Sequence, residues 1–224
     1  MEFQEVVRLR RMVRTFTDEP VPQTALDRIL GNALRGPSAG FSQGQAFLVL
    51  TGAADRERFW AVAGAAIASS AQTAPLVIVP MSCKRVYLDR YAQADKGWTD
   101  RDEARWPVPF WHIDTGMAAL LILQTAVDEG LGAVYFGIVP EAVARFRSSF
   151  EVPDDHEPIG AIAIGYDAEA EKRDLRSKRR NVEDLVHYGR WQGQAAARGQ
   201  EMSRPRVSRP AGTVISTDPE SSSA

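Results

Sequence analysis

Residues 112–130 read HIDTGMAALLILQTAVDEG. From Met117 to Leu123 every side chain is apolar, and only Gln124 and Thr125 interrupt the run before Val127. A helix that lacks a polar face is buried on several sides. In a chain of 224 residues it is a central helix or part of a subunit interface. Gly130 and Gly132 end it. The Met117–Val127 run is too short and too interrupted to span a bilayer.

The segments around this helix alternate in character. AVYFGI (133–138) and PIGAIAIGY (158–166) read as strands that follow it, with PEAVARFRSSF (140–150) between them as a helix whose proline sits at the first helical position. Before it, AFLVLT (46–51) and LVIVPM (76–81) read as buried strands. Between those two, Asp55 to Ser69 is alanine-rich and is predicted to be helical. From Gln23 to Arg35, the residues Leu26, Ile29, Leu30, Ala33 and Leu34 recur at helical spacing, and Gly36-Pro37 stops that helix. Phe3, Val6 and Val7 mark a short first helix. Helices and strands are interspersed without a clean βαβ repeat, so the class is α+β.

Composition bounds the function. Hydrophobic residues make up 44% of the chain, enough for a sizeable core. The formal net charge of −2 does not suit a general polyanion binder. No signal peptide is visible, and the single cysteine, Cys83, cannot form an internal disulfide, so a reducing cytoplasm is expected. Cys83 reads as a buried small hydrophobe. His112, His156 and His187 are scattered and no metal-binding motif is present, so no metal is expected. GxGxxG and GxxxxGK[ST] are absent, which argues against a Rossmann dinucleotide domain and a P-loop.

Residues 84–111, KRVYLDRYAQADKGWTDRDEARWPVPFW, mix charges with Tyr87, Tyr91, Trp98, Trp106, Phe110 and Trp111. Interleaved aromatic and basic residues are a device for binding single strands. Here Asp89, Asp95, Asp100, Asp102 and Glu103 cancel the positive charge, and nucleic acid is not an expected partner. The segment reads either as an excursion over a ligand pocket or as a packed surface hairpin of helices.

Positive charge is concentrated in two places: RLRRMVRTF (8–16) and SKRRN (177–181). Either each is a solvated helix face or both serve one anionic ligand, most simply a phosphate. Between them lies GPSAGFSQGQAF (36–47), whose small residues permit close backbone approach to a flat ligand, or form an ordinary turn. After Trp191 there are no aromatics and few large apolar residues, so 192–224 is expected to be a disordered tail, leaving 1–191 as one domain.

Three segments in a fixed order, RRMVRTF, PSAGFSQGQAF and SKRRNVEDLVHYGRW, resemble the FMN-dependent nitroreductase family. The resemblance implies an α+β fold with a central mixed sheet flanked by helices and a domain completed by dimerisation. It implies that Arg10, Arg11 and Arg14 hold the FMN phosphate and ribityl chain and reach the pyrimidine end of the flavin, with Met12 contributing a main-chain contact. Pro37, Ser38, Ala39 and Gly40 would form the turn that touches the flavin of the other subunit, with Gln43 beside it. Phe136 and Gly137 would line the isoalloxazine with backbone, and Arg179 and Arg180 would bind phosphate. Phe41 replaces the family's asparagine, Gln45 its tryptophan and Met12 its serine.

The activity so implied passes hydride from NAD(P)H through flavin N5 to a small electron-poor acceptor such as a nitroaromatic, quinone or enone. Because the flavin carries the chemistry, no catalytic side chain is required. Phe41, Tyr87, Trp98 and Trp106 are the candidate substrate wall. Two alternatives remain open at this point. One is an FMN oxidase, desaturase or flavin-modifying enzyme using oxygen, and the other is a non-enzymatic flavin-binding scaffold.

Overall fold

The computed structural model describes residues 1–171 and 175–191, and the tail expected from residue 192 lies outside the described residues. The chain divides into two units, Met1–Lys172 and Arg173–Ala224. In the first, the elements run α1 (Phe3–Leu9), α2 (Gln23–Ala33), β1 (Gln45–Leu50), α3 (Ala53–Ala63), β2 (Leu76–Ser82), α4 (Lys84–Tyr91), α5 (Phe110–Asp128), β3 (Gly132–Phe136), α6 (Pro140–Ser149), β4 (Glu157–Pro158) and β5 (Ala161–Gly165). In the second, single 3-10 turns cover Arg176–Lys178 and Val182–Asp184.

The sheet has the order β1-β2-β5-β3, with β4 added beside β2. All named strands pair antiparallel. The expected mixed sheet is therefore corrected in one respect: among the described residues, parallel pairing enters only through the isolated bridge Met12↔Ala133. That bridge carries the N-terminal segment along β3.

Period-two alternation sorts the sheet into two packed faces. Val77, Val79 and Met81 of β2, Ala161 and Ala163 of β5, and Val134 and Phe136 of β3 face one cluster, built with Phe59 of α3 and Phe146 of α6. Leu76, Ile78, Ile162, Ile164 and Ala133 face the other, with Leu26 and Ile29 of α2 and Ile122 and Ala126 of α5. Both faces are covered, which is why LVIV is a continuous apolar run rather than an alternating one. The small Ala161 and Ala163 leave room for rings that meet edge to face, Phe59 and Phe146 at 6.0 Å and Phe59 and Phe136 at 6.4 Å.

The central helix is α5, and it begins two residues earlier than the opening stretch, at Phe110. At 19 residues it is long and apolar enough by composition to cross a membrane, but half of it is buried inside the fold against α2 and the sheet. Its outer stripe is apolar too. Ile113, Met117 and Leu120, at helical spacing, are 38%, 42% and 46% exposed. The helix expected over 55–69 stops at Ala63, where Gly64 continues into 3-10 turns at Gly64–Ala66 and Ser69–Thr73. Gly64, a weak helix former, stands at the stop, and the serines at 69 and 70 favour turns over continued helix.

Candidate functional site

The N-terminal segment is fastened before any ligand is considered. Its backbone donates from Val13 to the Ala133 carbonyl at 3.0 Å and from Thr17 to the Tyr166 carbonyl at 3.0 Å. The Arg14 N–H donates to Glu169 Oε1 at 2.6 Å. The Arg11 guanidinium bonds both Asp167 and Glu169. This corrects the expectation for Arg11, because two carboxylates already meet its positive charge and fix its fork, which leaves it poorly suited to attract an anion. Burial would raise the Glu169 carboxyl, but the Arg14 amide and the Arg11 guanidinium outweigh it and hold that carboxyl below its ordinary range.

Arg10 and Arg14 are different. Both are half-buried, and among the described residues neither pairs with a carboxylate. The Arg14 guanidinium touches only the Met12 carbonyl, at 3.3 Å. The Arg14 backbone is held by Glu169 and by Ser70, whose hydroxyl donates to the Arg14 carbonyl at 2.8 Å, while Phe136 ends β3 and Gly137 follows it. The Phe136 side chain is core: it is 8% exposed and stacks on Trp60 at 5.9 Å, so only its backbone can face a ligand. A Cβ at Gly137 would meet nothing within 4 Å, so this end of the strand is open. The Met12 side chain turns to the sheet, where its sulfur lies 3.5 Å from the Tyr135 amide.

A second group is assembled around the small-residue loop. Gly40, Phe41 and Gln43 have φ of 61°, 55° and 56°. Left-handed backbone at a phenylalanine and a glutamine is uncommon and is held only by surrounding structure. The fasteners are specific. Ala39 N–H donates to Asp114 Oδ2 at 2.8 Å, and Gln43 N–H to Ser38 Oγ at 3.0 Å. Arg90 Nε donates to the Gly40 carbonyl at 3.0 Å. A Cβ at Gly40 would lie 2.6 Å from the Tyr91 ring, so glycine is required there both for φ and for space. Pro37 leads into this turn, and Phe41 stands 76% exposed. Gln45, beside it on β1, has a buried Oε1 without a partner.

Residues 84–111 pack their aromatic rings together, but they form α4 and a 3-10 turn at Glu103–Arg105 rather than a hairpin of helices. Trp106 is the hub, with its ring 4.5 Å from Tyr91, 5.4 Å from Trp98 and 6.1 Å from Tyr87. Trp98 and Trp106 are half-buried. Tyr87 is fully buried and donates its hydroxyl to Asp114 Oδ2 at 2.9 Å, so as a wall residue it is corrected: it can act on a substrate only by positioning others. Burial, then the bond to Asp114, pushes its phenol far above the ordinary value. Ion pairs Arg101–Asp89, Arg105–Asp100, Arg90–Asp95 and Lys84–Glu103 take up most of the charges, and Arg85 pairs with Asp155 outside the segment.

Among the described residues, Arg10, Arg14 and Gly137 share no hydrogen bond or ion pair with the loop group. Arg179 and Arg180 lie in the second unit, where Arg180 Nη2 donates to the Asp184 carbonyl at 3.4 Å. Val182, Leu185, Val186, Tyr188 and Trp191 of that unit are exposed. Reading the sequence missed Asp114. Its one signal was a carboxylate within the apolar helix. It also missed that the fold brings Cys83, Asp155 and His156 together, with one candidate ligand atom from each lying within 4.8 Å of the others. Asp155 there is engaged by Arg85 and by His156 Nδ1 at 2.7 Å, and burial raises the Cys83 thiol.

Comparison with known proteins bears on this arrangement. The family model described as "Nitroreductase family" matches residues 7–166, which include the N-terminal arginines, the loop and every named strand. A protein of Methanothermobacter thermautotrophicus, named "Putative NADH dehydrogenase/NAD(P)H nitroreductase", is 29% identical over 197 residues, covering 85% of this chain and 88% of its own. Among solved structures, Bacillus megaterium NfrA1 superposes with a TM-score of 0.72 at 15% identity, covering 88% of this chain and 78% of that one. A protein of Exiguobacterium sibiricum solved in complex with FMN superposes with a TM-score of 0.66 at 18% identity, covering 84% and 97%. With the α+β fold in place and the family match spanning most of the described residues, the chain belongs to the nitroreductase family.

Proposed function

We propose that this protein is an FMN-dependent oxidoreductase that takes electrons from NAD(P)H and delivers them to a small electron-poor acceptor. The observation that supports this reading is the state of the three N-terminal arginines. Arg11 is paired with Asp167 and Glu169, while among the described residues Arg10 and Arg14 have no carboxylate partner and the backbone at Gly137 is open. Two guanidiniums without a carboxylate partner on a fastened segment suit a phosphate and a ring that becomes negatively charged.

FMN, when bound, supplies the hydride chemistry. The chain's own residues bind and orient. Arg10 would hold the phosphate and Arg14 the pyrimidine end, where its charge would favour the reduced form. Met12 and Gly137 would offer backbone, and Arg179 and Arg180 would add phosphate contacts. Pro37, Ser38, Ala39, Gly40 and Gln43 would complete the site, while Phe41, Trp98 and Trp106 would stack a planar acceptor and exclude water. Among the described residues no bond joins Arg10, Arg14 or Gly137 to the loop, which fits a homodimer in which each site draws on both subunits. The apolar stripe of Ile113, Met117 and Leu120 is the surface that such a dimer would cover. A cytoplasmic location belongs to the same reading.

The test is direct. Purified protein should carry flavin absorption bands, its heat-released cofactor should run as FMN, and NAD(P)H should bleach it. Reoxidation by a nitroaromatic, a quinone and oxygen is then timed separately. Oxygen as the fastest acceptor would move the reading to an oxidase. A protein that takes up no flavin on reconstitution would sink it.

A further inference from the structure

We infer that Asp114 is a positioning residue for the Ser38–Gln43 turn, an inference that rests on the functional reading only for what the turn is used for. Asp114 is 4% exposed on a helix whose neighbours are apolar. Among the described residues no cation pairs with it. A buried carboxylate without a counter-charge is costly, and a core position can be filled more cheaply by an apolar group. What Asp114 does have is two donors on one oxygen, the Ala39 amide at 2.8 Å and the Tyr87 hydroxyl at 2.9 Å.

Those two donors belong to the two ends of one device. The Ala39 amide opens the turn that holds Gly40, Phe41 and Gln43 in left-handed backbone. The Tyr87 ring closes the far end, where a Cβ at Gly44 would lie 2.5 Å from it. Arg90 and Tyr91, one turn farther along α4, hold Gly40 between them. A loop free of these contacts would relax its phenylalanine and glutamine out of the left-handed region. With them, Phe41 is kept 76% exposed and in one direction. Asp114 joins α4, α5 and the turn at a single atom. Pre-organising the turn in this way spares the ordering cost that an incoming planar acceptor would otherwise meet.

The experiment compares wild type, Asp114→Ala, Asp114→Asn and Tyr87→Phe, each reconstituted with FMN. Deuterium exchange is followed at the amides of Ala39, Phe41 and Gln43. kcat and KM are measured for a nitroaromatic and for ferricyanide. In Asp114→Ala the loop amides should exchange about tenfold faster and KM for the nitroaromatic should rise about tenfold, with ferricyanide reduction per bound flavin unchanged within about twofold. Asp114→Asn keeps an acceptor oxygen and should recover part of both effects. Tyr87→Phe should fall between, and it decides the matter if Asp114→Ala does not fold. Unchanged loop exchange and KM in the folded variants would overturn the inference. So would faster exchange spread evenly over the sheet, which marks a purely structural carboxylate. If wild type takes up no flavin, the functional reading fails, and the exchange data alone decide whether Asp114 holds the turn.

Discussion

The Arg14 amide and Glu169 Oε1 lie 2.6 Å apart across 155 residues of chain. Through this bond and the Arg11 pairs to Asp167 and Glu169, the segment after β5 clamps the segment before α2. The clamp decides which arginines are structural and which are available.

Removing the clamp should loosen the N-terminal segment. Glu169→Ala strips an acceptor from Arg11 and from the Arg14 amide together. It should cost about 1–3 kcal/mol of stability, read as a shift of the urea midpoint without a change in slope. A midpoint equal to wild type would mean that the clamp contributes nothing.

The available arginines should report on the cofactor instead. Arg10→Ala, which removes no ion pair, should leave the urea midpoint in place and weaken FMN about tenfold to a hundredfold, as loss of a charge-assisted bond of roughly 1.5–3 kcal/mol predicts. Arg14→Ala should mainly lower the reduction potential of the bound flavin, measured by dye equilibration. Full FMN occupancy of Arg10→Ala at limiting cofactor would refute the phosphate assignment.

Acid should act through Asp155. Its carboxyl is held at about 2, against an ordinary 3.8, chiefly by Arg85 and then by His156. A carboxyl depressed in the folded protein contributes stability that is present above its ordinary value and is lost as pH falls through the folded value. Asp155→Asn should therefore flatten the stability profile between pH 4 and 2, while lying below wild type at pH 7. Chemical denaturation at half-unit pH steps would show it, and parallel profiles for the two proteins would contradict it.

The sheet should tolerate little loss at its centre. Ile162 is fully buried on the face shared with α2 and α5. Ile162→Ala should cost about 2–5 kcal/mol through lost burial and the cavity left behind. Calorimetry of the variant would settle the magnitude.

Leu120, 46% exposed at one end of the α5 stripe, should lie within the interface of the proposed dimer. Leu120→Glu places a charge in an interface that would bury about 2,000 Å² or more in total. Sedimentation at micromolar concentration should change from twice the chain mass to one, with flavin lost in parallel. A dimeric Leu120→Glu variant that keeps its flavin would exclude this face.

By itself, the sequence determined the class of fold and the positions of most elements. The apolar run at 117–123, the strands at 46–51, 76–81 and 133–138, and Pro140 at the first turn of a helix are all local signals, set by periodicity, burial on two faces and proline geometry. The ordered set of RRMVRTF, PSAGFSQGQAF and SKRRN pointed to the family for the same reason: residue types and separations are properties of the chain. Tertiary structure decided the rest. Arg11 and Arg14 are indistinguishable as letters, and only the arrival of Asp167 and Glu169 from the far side of β5 commits one and spares the other. Tyr87 and Trp98 share an aromatic segment, yet the fold buries the first against Asp114 and leaves the second half-exposed. Asp114 has no role legible in its own segment; Ala39, 75 residues away, supplies it. A charge or hydrogen bond takes its meaning from its partner, and these partners are distant in sequence.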